Sequence, residues 1–320
     1  MANPLVISSS TLALRVLNIC LLHKSLPKLF NVIEQAKQSV DFGNINCKDY
    51  SYAKFLIFLI IMLSVPYQLY TAYMQYNFNE KHNVLKYIIL TFNHYNNFSA
   101  VCLETQFSYL CYILKNRLEI VNEHLRRNYG IGSVHLNIKK SIASWNYHQQ
   151  AHLKSIVDLR ECHHKLCDSC SLLNKLYSIQ LLVSLTACLI NTLLNFYFAI
   201  YGGFVNTNPT TVHNIITQTI WGLYYVVRFV DICASADRLA KEATLTNILL
   251  CDQLAQCNDR SLKDVLWTFH AYTVSNEVKF TAMGFFKIDL TLISSAVSAG
   301  TTYLVILAQF HGQKQKITQT

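Results

Sequence analysis

The sequence predicts an all-α membrane protein, a polytopic helical bundle in which residues 1–320 form one domain. Hydrophobic residues make up 52% and charged residues 14% of the chain, and the mean hydropathy is +0.23, which is too apolar for an ordinary soluble domain. Several apolar stretches reach the roughly 20 residues that a helix needs to cross a bilayer. Only 4 prolines accompany 19 tyrosines and 17 phenylalanines, which favours long helices over the short alternating segments of a membrane barrel.

Five stretches qualify as membrane spans. The second is interrupted by NHYNN at 93–97 and by Glu104, so it begins near 98 or belongs to a longer helix. Residues 10–22 are too short to cross alone. The predicted spans are about 55–74, 87–114, 177–201, 213–235 and 287–310.

The distribution of Lys and Arg predicts the orientation. Residues 1–54, 115–165 and 236–280 contain 6, 9 and 5 of them, whereas residues 75–86 contain 2, residues 202–212 none and the tail after 310 contains 2. Since cytoplasmic loops carry the excess of positive charge, the N-terminus is expected inside and the C-terminus outside. This orientation opposes that of a G-protein-coupled receptor.

The loops on the cytoplasmic side, 115–176 and 236–286, are expected to be helical extensions of the spans. The segment 114–127 continues a helical pattern out of the second span, with one apolar face that must pack on something. That face consists of Leu114, Leu118, Val121 and Leu125.

The sequence does not favour a nucleic-acid-binding protein, an enzyme or a secreted protein. The net charge of +9 is not gathered on a compact soluble domain, so we expect no nucleic-acid partner. The sequence contains no catalytic motif such as GxSxG, HExxH or a phosphate-binding glycine loop, so we expect no enzyme and no cofactor. The N-terminus lacks the features of a cleaved signal peptide. The 11 cysteines are interpreted as reduced thiols.

One cluster resembles a metal site. ECHHKLCDSC, residues 161–170, places Cys162, His163, His164, Cys167 and Cys170 within ten residues, and such ligands could hold zinc. On a continuous helix, however, Cys167 and Cys170 share a face with His163 while Cys162 points elsewhere, and no second ligand pair follows at finger spacing. We therefore favour ordinary helix packing and predict no metal.

Charged residues inside spans are costly and indicate a role. Arg228 and Asp231 lie three residues apart and are expected to pair on one helical face. Glu104 fits either a pocket or a pairing with another helix.

The last span carries a polar stripe. Thr291, Ser295, Ser298, Thr302 and Gln309 follow one another at steps of 4, 3, 4 and 7, which keeps them on one helical face. Two interpretations remain open. Small residues permit close packing of helices, and hydroxyls with an amide suit the wall of a water-filled path.

TTYLVILAQF, residues 301–310, resembles the C-terminal signature of insect gustatory receptors, in which Thr-Tyr is followed by five mostly apolar residues and Gln-Phe. KFTAMGFFKIDLTLISSAVSAG before it and HHKLCDSCSLLNKLYSIQLLVSL at 163–185 are also similar to that family. The resemblance implies seven spans and a tetrameric, ligand-gated, nonselective cation channel in the plasma membrane of sensory neurons. Compared with that pattern, the chain looks truncated at its N-terminus.

The family resemblance also implies the sites. The last helix would line the pore and the gate would lie near its Gln-Phe end; this assigns Ser295, Ser298, Thr302, Tyr303, Ile306, Gln309 and Phe310. Aromatic residues in the outer halves of the spans would bind a small organic tastant, or else anchor the helices among lipid headgroups. These aromatic residues are Tyr70, Tyr73, Tyr197, Tyr201 and Trp221.

Leu304 stands where the sugar-receptor branch tends to carry Glu, so the chain looks more like the branch that includes many bitter receptors. The expected partners are the tastant, membrane lipid and other gustatory receptors in a homo- or hetero-tetramer. Two alternatives remain, a metabotropic seven-span receptor and a truncated subunit that co-assembles without conducting.

Overall fold

The structure is a computed structural model that describes residues 27–32, 34, 84–134, 142–205 and 209–319. The described chain is almost entirely helical, as the composition predicts. It divides into two compact units. Unit 1 combines the described residues up to Tyr177 with Arg238–Lys279, and unit 2 consists of Ser178–Asp237 and Phe280–Thr320.

Three helices are far longer than a bilayer is thick. Helix α1 covers Val84–Val134 (51 residues), α2 covers Ile142–Val205 (64 residues) and α3 covers Pro209–Gln256 (48 residues). At 1.5 Å per residue, α2 alone is about 96 Å long, against roughly 30 Å of hydrocarbon. Residues 114–127 therefore do continue the helix that contains residues 87–114. Helix α1 also runs through NHYNN without a break, which favours the longer-helix interpretation of the second span.

The ends of the helices follow local chemistry. Pro209 is the first residue of α3, a position where its missing N–H costs nothing and its fixed φ suits the helix. Helix α4, Arg260–Ser275, is capped by Asp259, whose carboxylate accepts a hydrogen bond from the Ser261 amide at 3.0 Å. This bond satisfies one of the free N–H groups of the first turn.

A β-hairpin lies between α4 and the last helix. The sequence analysis did not predict this hairpin. Strand β1 is Thr281–Ala282, and it pairs antiparallel with β2, Phe286–Lys287. Helix α5 then begins at Leu290 and ends at Gln319. The strands are only two residues long, too short for a period-two pattern to show in the sequence.

The core of unit 1 contains the apolar face predicted on the cytoplasmic extension. Leu114, Leu118, Val121 and Leu125 are all 0% exposed, so the prediction that this face packs is confirmed. The same unit buries apolar side chains from α2 and α4, among them Leu159, Leu166, Leu173, Leu266 and Phe269.

In unit 2, two buried glycines mark close helix contacts. A Cβ atom on Gly222 of α3 would lie 3.2 Å from the Phe196 ring of α2, and one on Gly300 of α5 would lie 3.1 Å from Leu193 Cδ2. Both helices thus approach α2 at positions where the side chain is a single hydrogen, the type of packing that is common between helices in membranes.

Candidate functional site

Helix α5 carries the predicted polar stripe, and a cap fixes its first turn. The Asp289 carboxylate accepts hydrogen bonds from the amides of Thr291 at 3.0 Å and Leu292 at 3.2 Å and from the Thr291 hydroxyl. Lys287 Nζ lies 3.1 Å from the same carboxylate. Asp289 therefore satisfies two N–H groups that have no partner within the helix, and it joins the hairpin to the beginning of the stripe.

The stripe is exposed along its length. At 3.6 residues per turn its members fall within an arc of about 60°, and no other described part of the chain covers them. Thr291, Ser295, Ser298, Thr302 and Gln309 are all exposed.

The opposite side of α5 contacts the rest of unit 2. Ile293, Ala296, Gly300 and Leu304 are less exposed than the stripe and line a cavity of about 210 Å³. Leu193 and Phe196 of α2 and Phe229 of α3 form much of the other wall. Helix α5 therefore turns the side that contains Gly300 toward its own chain, while the polar stripe and several large apolar side chains, among them Val297 and Val305, are exposed.

Two of the stripe hydroxyls bond to carbonyls of their own helix. Ser295 donates to the carbonyl of Thr291 at 3.1 Å, and Thr302 donates to the carbonyl of Ser298 at 3.0 Å. Each hydroxyl proton is thereby satisfied while an oxygen lone pair stays available to a neighbour outside the helix. A polar surface of this kind can contact lipid, another helix or water.

The other residues predicted for the pore lie on the same part of α5. Tyr303 is 61% and Ile306 is 40% exposed. Phe310 belongs to α5, but its side chain lies outside the described part of the structure. No finding tests a pore role for these seven residues, which stays a prediction.

The aromatic residues predicted for ligand binding are only partly described. Tyr70 and Tyr73 lie outside the described residues, as does the side chain of Tyr201. Tyr197 is half-buried and its ring centroid lies 5.5 Å from that of Phe198. Trp221 is half-buried on α3. Of the two whose side chains are described, neither Tyr197 nor Trp221 lines the 210 Å³ cavity.

Trp221 is one end of an aromatic ladder that the sequence analysis missed. Its ring centroid lies 5.4 Å from that of Tyr224 and 6.0 Å from that of Tyr225. The Arg228 guanidinium sits 5.3 Å and 5.4 Å from these two tyrosine rings, within cation–π range. Their spacing of three, four and seven residues was the available signal, because it places all four on one helical face.

The cluster at 161–170 packs within the structure. Cys162, His163, Cys167 and Cys170 are all at most 6% exposed, and His163 stacks edge-on against Phe269 at 5.4 Å. His164 is instead exposed and its ring lies 4.4 Å from that of Tyr272. Within the described ranges, no group of three or more His, Cys, Asp and Glu side chains is arranged to hold a metal ion.

Unit 1 contains a buried polar seam between α1 and α3. Asn122 Nδ2 donates to the carbonyl and to the carboxylate of Glu242, at 3.0 Å and 2.8 Å. Thr246 donates to Asn122 Oδ1 at 2.7 Å, and Gln253 donates to the carbonyl of Leu125 at 2.7 Å. The seam fixes the register of two helices that sequence reasoning could not pair.

Among the residues that the structure describes, two stretches have the length and hydropathy of membrane spans. Leu153–Ile200 and Leu290–Leu307 each contain an 18-residue window with a mean hydropathy of 1.7. Within the first stretch the charged residues end at Lys175, and no Asp, Glu, Lys or Arg follows until Arg228. The fold and these windows define a helical membrane protein with long helical extensions beyond its apolar segments.

Comparisons with known proteins identify the family. Residues 5–314 match the model of the family described as "7tm Chemosensory receptor". The chain therefore belongs to that family. Its fold is similar to the insect olfactory receptor OR5 from Machilis hrabei, with a TM-score of 0.67 at 13% identity over 96% of this chain and 80% of that one. The same receptor in complex with eugenol gives a TM-score of 0.64.

Gustatory receptors of Drosophila melanogaster are similar over shorter regions. Gustatory receptor 68a is 31% identical over 108 residues, which is 34% of this chain and 27% of that protein. Gustatory receptor for sugar taste 43a is 25% identical over 159 residues, which is 49% of this chain and 36% of that protein. The matched region thus spans about a third of the length of these relatives.

Proposed function

We propose that the chain is a subunit of a ligand-gated, nonselective cation channel that responds to small organic tastants. The observation that carries the proposal is the division of α5 into two sides. Ile293, Ala296, Gly300 and Leu304 face the chain's own helices, whereas the stripe from Thr291 to Gln309 is exposed. An exposed row of hydroxyls and an amide on an otherwise apolar membrane helix suits a water-filled path shared by several subunits.

In this proposal four subunits assemble around α5. Ser295, Ser298 and Thr302 line the path, and Tyr303, Ile306, Gln309 and Phe310 form its gate at the far end. The amide of Gln309 then faces water and ions. The N-terminus lies inside and the C-terminus outside, as the charge distribution predicts. Plasma membrane and sensory neuron are the proposed location.

The ligand site is proposed among the outer aromatic residues. Trp221, with Tyr224 and Tyr225, offers flat apolar faces with polar edges, and Tyr197 lies on the neighbouring helix of the same unit. Eugenol, an aromatic molecule, binds the structurally similar olfactory receptor, and a sugar is named for a related gustatory receptor. The substrate class that fits these side chains is a small organic compound with an aromatic or apolar portion.

The test is cysteine accessibility during ligand-evoked current. Cells expressing the chain are screened with small organic compounds, and the response is then measured for Ser298→Cys and Thr302→Cys after a water-soluble thiol reagent. Both variants should lose current on modification, because the reagent enters the conducting path. Ala296→Cys is the matched control on the opposite side of α5, and the unsubstituted chain corrects for its own cysteines.

Two outcomes would overturn the channel. If the reagent leaves all variants unchanged in the presence and absence of ligand, the stripe does not face water. If an epitope tag at the C-terminus is cytoplasmic, a metabotropic seven-span receptor is favoured. Current that arises only beside a full-length relative would indicate a co-assembling subunit.

Gln309→Ala should alter gating or conductance while surface expression is retained.

A further inference from the structure

The tip of the β-hairpin before α5 has an unusual backbone. Met283 has φ 53° and Gly284 has φ 77°, and the Phe285 amide donates to the carbonyl of Ala282 at 3.0 Å. Two successive residues with positive φ between paired strands form a type I′ turn, which is normally built from Asn, Asp and Gly. Gly284 suits its position. Met283 does not, since the left-handed conformation costs an ordinary residue about 1–2 kcal/mol.

The hairpin separates its buried and exposed side chains sharply. Phe280, Ala282 and Ile288 are at most 2% exposed, whereas Met283 is 50% and Phe285 is 76% exposed. Phe285 is the most exposed large apolar side chain in the described part of the chain. Met283 has a strained backbone and lies beside an exposed Phe285. Since local backbone strain persists mainly where function requires it, this combination indicates that the two side chains contact a partner outside the chain.

The tip of the hairpin, residues 283–285, lies beside the beginning of the uncharged, apolar part of α2. Ser178 Oγ donates to Met283 Sδ at 3.3 Å, and Ser178 follows Lys175, the last charge before the uncharged part of α2. The hairpin itself ends three residues before Leu290, where the apolar helix α5 begins. Two segments that enter the membrane therefore start beside the tip.

Charged pairs precede and follow the hairpin in the sequence. Lys279 is 2.6 Å from Glu277, and Lys287 is 3.1 Å from Asp289, with both lysine side chains about half exposed. Apolar residues at the tip with lysines behind them are typical of elements that rest in the headgroup region. A second protein fits less well, since two side chains cover far less than the roughly 800 Å² per partner of a stable interface.

We propose that residues 283–285 form a membrane-interface anchor, in which Phe285 and Met283 insert among the lipid headgroups and hold the beginning of α5 at a fixed depth. The partner is the phospholipid leaflet next to the hairpin. The proposal rests on α2, α3 and α5 crossing the membrane and does not require that the chain conducts ions.

The test uses Phe285→Trp in phosphatidylcholine vesicles whose acyl chains carry bromine either close to the headgroup or close to the chain end. Bromine quenches tryptophan emission on contact, so the signal added by the substitution reports depth. We expect the added emission to be quenched several-fold more by the shallow bromine than by the deep one. Because Phe285 is so exposed, the substitution leaves the core of the hairpin untouched.

Two control variants separate the possible failures. Leu223→Trp, exposed at the middle of the predicted span in α3, should be quenched by the deep bromine, and Ile248→Trp, exposed on the part of α3 in unit 1, should not be quenched. If Leu223→Trp is not quenched, the assignment of the spans fails. If it is quenched while Phe285→Trp behaves like Ile248→Trp, the hairpin contacts protein or water and the anchor proposal is wrong.

Discussion

Asn122 on α1 and Glu242 on α3 are 120 residues apart in sequence, and the amide of the first donates to the carboxylate of the second at 2.8 Å. Asn122 is 1% exposed, and its carbonyl also accepts a hydrogen bond from Thr246, which is 0% exposed. Within the described part of the chain, its side-chain partners thus lie on one neighbouring helix. A buried amide used in this way fixes how far one helix can slide along the other.

Asn122→Ala should destabilise unit 1 by about 1–3 kcal/mol, because the Thr246 hydroxyl and the Glu242 carboxylate lose a buried partner. The measurement is thermal unfolding in detergent. Glu123→Ala is the matched control one residue away, since its ion pair with Arg127 is exposed and such pairs contribute little. Equal unfolding curves for the two variants would show that the seam does not stabilise the fold.

Leu118→Ala should cost about 2–5 kcal/mol of folding free energy, the range for removing a fully buried leucine. Leu118 is 0% exposed and lies in the middle of the apolar face of α1. Its neighbour Glu119 is exposed, so Glu119→Ala should unfold like the unsubstituted chain. A small effect of Leu118→Ala would mean that the extension is not a packed unit.

Gly300→Val should weaken the contact between α5 and α2 by about 1–3 kcal/mol, the usual cost of overpacking. Even a single Cβ atom would come within 3.1 Å of Leu193. Ala299→Val adds the same type of side chain at an exposed neighbouring position and should be tolerated. Leu193→Ala should partly restore Gly300→Val, and the lack of such a rescue would place the clash elsewhere.

Asp289→Ala should cost about 1 kcal/mol and loosen the first turn of α5, because the Thr291 amide loses its side-chain acceptor and the Leu292 amide keeps only the backbone carbonyl of residue 289. Hydrogen exchange at these amides is the measurement, and it should become faster. Asp289→Asn keeps a capping oxygen but removes the charge near Lys287. If Asp289→Asn exchanges as fast as Asp289→Ala, the ion pair rather than the cap holds the turn.

The helical elements could be read from composition and periodicity, but their partners could not. The face that contains Leu118 was visible because apolar residues recur at steps of three and four. Which helix covers that face depends on contacts between residues more than a hundred positions apart, such as Asn122 with Glu242. The hairpin escaped prediction because a strand of two residues has no detectable period and Met283 occupies a position normally filled by Asn or Gly.

Hydropathy and the TTYLVILAQF signature are local properties, and they are enough to identify a helical membrane chain of the chemosensory type. The sequence also placed Thr291, Ser295, Ser298, Thr302 and Gln309 on one side of a helix. That this side is exposed follows only from the packing of α5, because the side that a helix turns outward depends on the shape of its neighbours. Gly300 can approach Leu193 closely only on the opposite side, and that contact points the polar stripe away from its own chain.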